Sequence, residues 1–423
     1  MMGCSDPQSV FLGSRVEDFD AAPIPAQSDR SLSIELNAGA DAPRSDGSTL
    51  GPPVTECAAQ RVVQLVGGNG GLAWFTQVWP IPDVISAYQP DFAYDDPKLA
   101  KLVSPSNAPP LFARLLPGPR AVWETVGARP MPTIFVAGTN LTHTSTPATT
   151  RLNGTTEILA AAWGVQKRLG APIATVRIKN TYLYGPAPDA PKPVDVADVD
   201  AAVDALAAQL SLSATAKAQL RPDPSVYGSW HSSGAGAGVK NLAAALAFAA
   251  NAFKANLITT IQLPAFEDDP HGAFVSSPTQ QINDVASVMD GFYKYLATSQ
   301  EAICGHAGAK LSLADNVVTV IVGDTYKNPF TKNGWPDGTP QNTNLVFVRS
   351  NGFLAPGYFG RIAPGGVTQF DPATGGVGSS APVATEGALE GILYAIARGD
   401  GAFVKGLAPT ATPYQGILEA SPP

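Results

Sequence analysis

The feature that most constrains this chain is an alternation of short, largely apolar runs with stretches of helical periodicity. The first run is Arg61-Val62-Val63-Gln64-Leu65-Val66, which ends on glycines. Thr133-Ile134-Phe135-Val136, Ile173-Ala174-Thr175-Val176, Leu257 to Leu263, Val317 to Val322 and Leu345 to Val348 repeat the pattern. Apolar runs of about 4–8 residues bounded by turn signals read as buried strands. Helical patterns fall between them. Glu157 to Leu169 is one; Val196, Val199, Val203, Leu206 and Leu210 mark a second. Leu242, Leu246, Ala249 and Phe253 mark a third, and Ile282, Val285, Met289, Phe292 and Leu296 a fourth. Leu389, Ile392, Leu393 and Ile396 mark the last. Steps of three and four residues put these apolar side chains on one face of each helix. Parallel strands need long crossover connections, usually helical, so the alternation predicts an α/β fold. Its expected form is a mostly parallel central sheet with helices on both faces.

Residues 1–56 are rich in Ser, Asp, Pro and Ala without a sustained period, and read as an irregular N-terminal arm. Residues 57–423 read as a single α/β domain, since large sheets use such a length as one unit. The Pro-rich stretch Pro186 to Pro193, with residues 211–238, is assigned to a surface insertion at 184–238. Charged residues make up 15% of the chain, against a usual value of about 25%. The surface is therefore largely neutral-polar, which suits a protein partner, a homo-oligomer or another assembly contact. A net charge of −8 and the lack of any basic cluster argue against nucleic acid and against anionic membranes as partners. No apolar run reaches the length of a transmembrane segment. Met1 to Asp6 has neither a basic region nor an apolar region of the secretory kind, so no signal peptide is visible. The three cysteines, Cys4, Cys57 and Cys304, are an odd number that fits neither a disulfide framework nor a thiolate metal site. Cys304 is expected in or beside the core as a small hydrophobe.

In open α/β sheets ligands gather at the carboxyl ends of strands, so the residues just after each strand carry the candidates. Gly67 to Leu72 is a glycine-rich turn, but it runs into Trp74 and Phe75 rather than a helix, which excludes the dinucleotide fingerprint. Thr142, His143, Thr144 and Ser145 bring hydroxyls and an imidazole into one loop. That arrangement suits a nucleophile with its base, or a plain polar loop that bonds its own backbone. Glu267-Asp268-Asp269-Pro270-His271 offers three carboxylates and an imidazole, either as metal or acid–base groups or as a solvated acidic turn. Asp324 and Lys327 follow the Val317 run. His231 and His306 read as structural or exposed. The carboxyl-end rule predicts that Thr142, His143, Asp269, His271, Asp324 and Lys327 meet at one sheet edge, with His143 and His271 within about 15 Å.

The ordered set of junctions resembles the bacterial sulfatase-like family catalogued as domain of unknown function fifteen hundred and one, placed near alkaline phosphatases and sulfatases. The residues that carry the resemblance are Gly67 to Leu72, Thr142-His143, Asp269-Pro270-His271-Gly272, Asp324 to Asn328, the loop from Asn333 to Thr339, and Pro356-Gly357-Tyr358-Phe359-Gly360. They span roughly residues 60 to 365. The resemblance implies an alkaline-phosphatase-like sheet, export to the periplasm or outside the cell, and a site for a small anionic ester. It also implies metal at Asp269, His271 and Asp324, with Thr142, His143 and Lys327 as catalytic groups. The departures are as informative. Gly70 stands where the family places an acid, and Pro340-Gln341 replaces its late Asp-His pair. Asp324 and Lys327 replace a Glu and an Arg, keeping charge but losing the fork geometry of the guanidinium. Such a ligand set holds one divalent cation at most. Two readings stay open: a non-catalytic or catalytically degraded descendant kept for binding or assembly, and a metal-dependent hydrolase of phosphate or sulfate esters.

Overall fold

All six apolar runs form strands, because β-branched and aromatic side chains suit a pleated surface that is covered on both sides. The computed structural model describes residues 57, 59–67, 133–138, 151–152, 156–157, 174–178, 194–264, 278–301, 311–323, 343–359, 361–363, 367–376, 385–407 and 414–419. The first strands are β1 (Arg61–Gly67), β2 (Thr133–Gly138), β3 (Arg151–Leu152), β4 (Thr156–Glu157), β5 (Ala174–Ile178) and β6 (Val194–Val196). Helices α1 (Val199–Gln209), α2 (Ala214–Leu220), α3 (Pro224–Tyr227) and α4 (Ala237–Lys254) follow. Next come β7 (Ile258–Pro264), α5 (Pro278–Ala297), β8 (Val317–Gly323) and β9 (Thr343–Arg349). The chain continues through β10 (Gly357–Phe359), β11 (Arg361–Ala363), β12 (Val367–Gln369), α6 (Thr385–Ile396) and α7 (Gly401–Leu407).

Eight strands make one sheet in the order β10-β2-β9-β8-β1-β7-β5-β6. β8, β1, β7, β5 and β6 pair in parallel. β9 is antiparallel to both β8 and β2, so β2 regains the common direction, and β10 pairs with it in parallel. The protein is thus an α/β protein with a mostly parallel, mixed sheet. Side chains alternate between faces along a strand. Arg61, Val62, Val63, Gln64 and Leu65 are nonetheless all buried, so β1 is covered on both sides. One face carries α4 and α5: Arg61 lies 5.4 Å from the Phe253 ring centroid, and Tyr293 Oη is 2.6 Å from Thr319 Oγ1. Gln60 turns to the other face, where its Nε2 donates to Ala395 O of α6 at 2.7 Å. α6 packs there against β2 and β8.

Local chemistry explains the helices. Asp198 caps α1 by accepting from Ala201 N at 2.8 Å, which satisfies one of the free amides of the first turn. α4 is alanine-rich, and its buried Ala243, Ala247, Ala249 and Ala250 combine high helix propensity with close approach to β7 and α5. It ends where Asn256 takes a left-handed conformation (φ 55°), which an Asn tolerates better than most residues. In α5, Gly291 lies flat against the Trp230 ring, which a Cβ at that position would overlap. Gly291→Ala should therefore lower stability by about 1–2 kcal/mol, overpacking outweighing the better helix propensity. A shift in the urea midpoint, read through Trp230 fluorescence, checks this; an unchanged or raised midpoint would show that Trp230 moves aside freely.

Three sequence expectations need correcting, at Val196, Glu157 and Cys57. Val196 belongs to β6 rather than to the helix of Val199, because α1 starts only after the Asp198 cap. Glu157 lies in β4 rather than at a helix start; residues 158–169 fall outside the described residues. The described part of segment 184–238 supplies an edge strand and three packed helices, with Val203, Leu206, Leu220 and Trp230 buried. Cys57 is disulfide-bonded, although three cysteines fit no framework: an odd count still allows one bond and one free thiol. Cys4, Cys304 and the arm 1–56 lie outside the described residues. No described helix is long and apolar enough to cross a membrane.

At the amino edge of the sheet Arg61 is fully buried. Its Nε and Nη2 donate to Glu301 at 2.7–3.2 Å, Nη1 to Ile258 O at 2.6 Å, and Nη2 also to Asn256 Oδ1 at 2.8 Å. The pair locks the starts of β1 and β7 to the segment leaving α5.

Candidate functional site

The strand directions decide where the candidate loops begin. β1, β7 and β8 are immediate neighbours, with Gly67 opposite Gly323 and Val66 opposite Pro264. The segments that carry Asp269 with His271, and Asp324 with Lys327, therefore leave the same edge on either side of β1. β2 also ends at that edge, at Gly138, ahead of Thr142 and His143. Gly138 and Pro264 are separated by four strand spacings, about 19 Å. Thr142, His143, Asp269, His271, Asp324 and Lys327 themselves lie outside the described residues. The same holds for Gly70, Thr144, Ser145, Pro340, Gln341 and His306. His231 is described, half-buried, with its Nδ1 2.9 Å from Ser232 O, which fits a structural loop histidine.

The two faces of β1, β7 and β5 differ in chemistry. Under α4 and α5, Val63, Ile261 and Val176 form one apolar row. On the opposite face the next row is Gln64, Gln262 and Arg177, with Asp195 of β6 at the following register position. Thr260 is buried in the row before it. A doubly covered parallel sheet is ordinarily apolar throughout, so a polar row inside it calls for a physical reason. It lies one to three residues from the carboxyl ends of β1, β7 and β5. β5 connects outward to β6, whereas β7 connects back across β1 to β8. Adjacent strands whose connections leave in opposite directions define the switch point where ligands bind in open α/β sheets.

Gln64 is 1% exposed and Gln262 0%. Gln262 Nε2 donates to Gln64 Oε1 at 3.0 Å, while Gln64 Nε2 and Gln262 Oε1 have no partner among the described residues. Reversing both amides exchanges the roles and again leaves one donor and one acceptor. The pair is therefore complementary to a group that both donates and accepts, such as a hydroxyl or a water. An unmatched buried polar atom costs about 1–3 kcal/mol, whereas removing both partners of a bond together is nearly neutral. Gln262→Leu alone should thus destabilise by that amount, and Gln64→Leu/Gln262→Leu should recover most of the loss. Chemical unfolding of the three proteins tests this; a double variant no better than the single would show that both amides are matched in solution.

One further group was missed from the sequence. Glu390 of α6 is 0% exposed, and neither carboxylate oxygen has a partner among the described residues. Burial pushes its carboxyl up to about 7, so near neutral pH it can hold or release a proton. Its signal was legible: an acid interrupts the apolar stripe of Leu389, Ile392, Leu393 and Ile396. Lys254, which burial lowers to about 8, sits 3.5 Å from the Tyr295 ring centroid at the end of α4, and so belongs to the opposite, amino edge. Among the described residues no group of three or more His, Cys, Asp or Glu is placed to hold a metal ion.

Fold and site together define an α/β protein with a mixed, mostly parallel sheet and a buried polar row near its carboxyl edge. No known family model matches the chain, and no curated protein matches it.

Proposed function

We propose that this chain is an exported, catalytically degraded relative of the sulfatase and alkaline-phosphatase group, kept to bind a small anionic ester at the carboxyl edge of its sheet. The observation that carries the binding role is the row of Gln64, Gln262 and Arg177. A buried guanidinium supplies charge and planar donors for an oxyanion, and the amide pair suits a hydroxyl on the same ligand. Export draws support from the disulfide at Cys57, since such bonds persist in oxidising compartments. Loss of turnover draws support from Gly70, Pro340 and Gln341, which stand at positions where the resembled family carries metal ligands. Titration calorimetry with inorganic phosphate, phenyl phosphate and phenyl sulfate is the test. Saturable binding that Arg177→Met abolishes in a still-folded protein is expected, with no product formed. Absence of binding by every anion would end the reading.

The metal-dependent hydrolase is the second reading, and the strand order favours it. β7, β1 and β8 are adjacent, so Asp269, His271, Asp324 and Lys327 lie on segments that start side by side. A cation held by Asp269, His271 and Asp324 would act as Lewis acid, and Lys327 would steady the developing oxyanion. Elemental analysis of dialysed protein and turnover with added zinc, manganese, magnesium or calcium separate the readings. Turnover abolished by Asp269→Ala and by His271→Ala would establish the hydrolase.

A further inference from the structure

Cys57 is disulfide-bonded and only Cys4 and Cys304 can be its partner within the chain. We propose that the bond joins Cys57 to Cys304 and staples the amino edge of the sheet around the Arg61–Glu301 ion pair. Cys304 is the one whose chain neighbours are held beside Cys57 by described hydrogen bonds. Asn316 Nδ2 donates both to Ala59 O at 3.2 Å and to Glu301 Oε2 at 3.1 Å, so residues 59 and 301 meet at one nitrogen. Arg61 Nη2 adds a bond to Glu301 Oε1 at 2.7 Å. Cys57 precedes Ala59 by two residues and Cys304 follows Glu301 by three. Three residues reach at most about 11 Å, and a disulfide needs Cα atoms about 4.4–6.8 Å apart, so the two cysteines are within range. Glu301 N also donates to Leu311 O at 2.9 Å, which closes the segment carrying Cys304 at both ends beside β1.

Formation of the bond breaks two S–H bonds and makes one S–S bond. The two protons and two electrons pass to an oxidant of the thiol–disulfide exchange class. A dithiol reductant reverses the step. The staple sits at the amino end of β1, away from the carboxyl edge of the sheet. Reduction therefore weakens the fold without altering the ligand-binding row.

The test is a peptide map of the full chain, purified from an oxidising compartment and digested without reductant. The expected result is a joined pair of peptides containing Cys57 and Cys304, which separates on dithiothreitol treatment, while Cys4 reacts with a thiol reagent beforehand. Reduction and Cys304→Ser should each lower the unfolding midpoint by several degrees, and Cys4→Ser should not. A joined Cys4–Cys57 peptide, or three cysteines that all react without reductant, would overturn the proposal. Should Cys304→Ser fail to fold, the map of the unaltered chain decides by itself.

Discussion

Arg61→Met is expected to destabilise the protein by about 3–5 kcal/mol, the range for removing one partner of a buried ion pair. Glu301 would keep its charge in a fully buried site without the guanidinium that now neutralises it, while its bond from Asn316 Nδ2 would remain. The packing of Arg61 against Phe253 would be partly preserved by the Met side chain, so the loss would be electrostatic in origin. Replacing both partners removes the unmatched charge. Arg61→Met/Glu301→Leu should therefore recover more than half of the lost stability, since well-packed apolar replacements of buried pairs are often neutral. Guanidinium unfolding of the wild type, the single and the double variants measures all three. A single-variant loss below about 1 kcal/mol would mean that water reaches the pair, as it reaches exposed salt bridges.

The second large effect concerns pH. The carboxyl of Glu390 is raised by burial from 4.5 to about 7. Between those values the folded state binds more protons here than the unfolded state, so stability falls as pH rises. The contribution is fully present below 4.5 and is lost as pH passes through about 7. Above that pH the buried carboxylate costs up to about 3 kcal/mol, because each tenfold change in proton affinity is worth about 1.4 kcal/mol. Glu390→Gln keeps the shape and removes the titration. The variant should match the wild type near pH 4 and exceed it at pH 8. Equal stability curves from pH 4 to 8 would show that the carboxylate is matched by a partner or by water when ionised.

Under the binding role proposed for the polar row, ligand recognition and folding would draw on different parts of the same sheet. Arg61, Glu301 and Asn316 gather at the amino edge, whereas Gln64, Gln262 and Arg177 lie toward the carboxyl edge. Variants at the first group should change stability and spare binding. The Gln64→Leu/Gln262→Leu protein should do the reverse.

Much of the fold was legible in the residues. Six apolar runs became six strands, and the stripes through Leu246, Phe292 and Ile392 became buried faces of α4, α5 and α6. Burial on both faces forces near-continuous apolar runs, and helical burial forces steps of three and four, so both leave a local trace. β6 and β10 left little trace, because three-residue edge strands carry too few side chains to set a period. The reversal of β9 left none: Leu345 to Val348 reads the same in either direction, and direction is decided by the strands alongside. Loop chemistry at Thr142, Asp269 and Asp324 was picked out by residue type, and the strand directions then gave those loops a common edge of departure. The polar row could not be read in advance. Gln64, Gln262 and Arg177 come from segments far apart in sequence, and each alone is a polar residue in a largely apolar run. Only strand pairing sets them side by side on one face, because register fixes which residues share a row. The same reason accounts for Arg61 and Glu301, whose attraction exists only once folding has removed the intervening water.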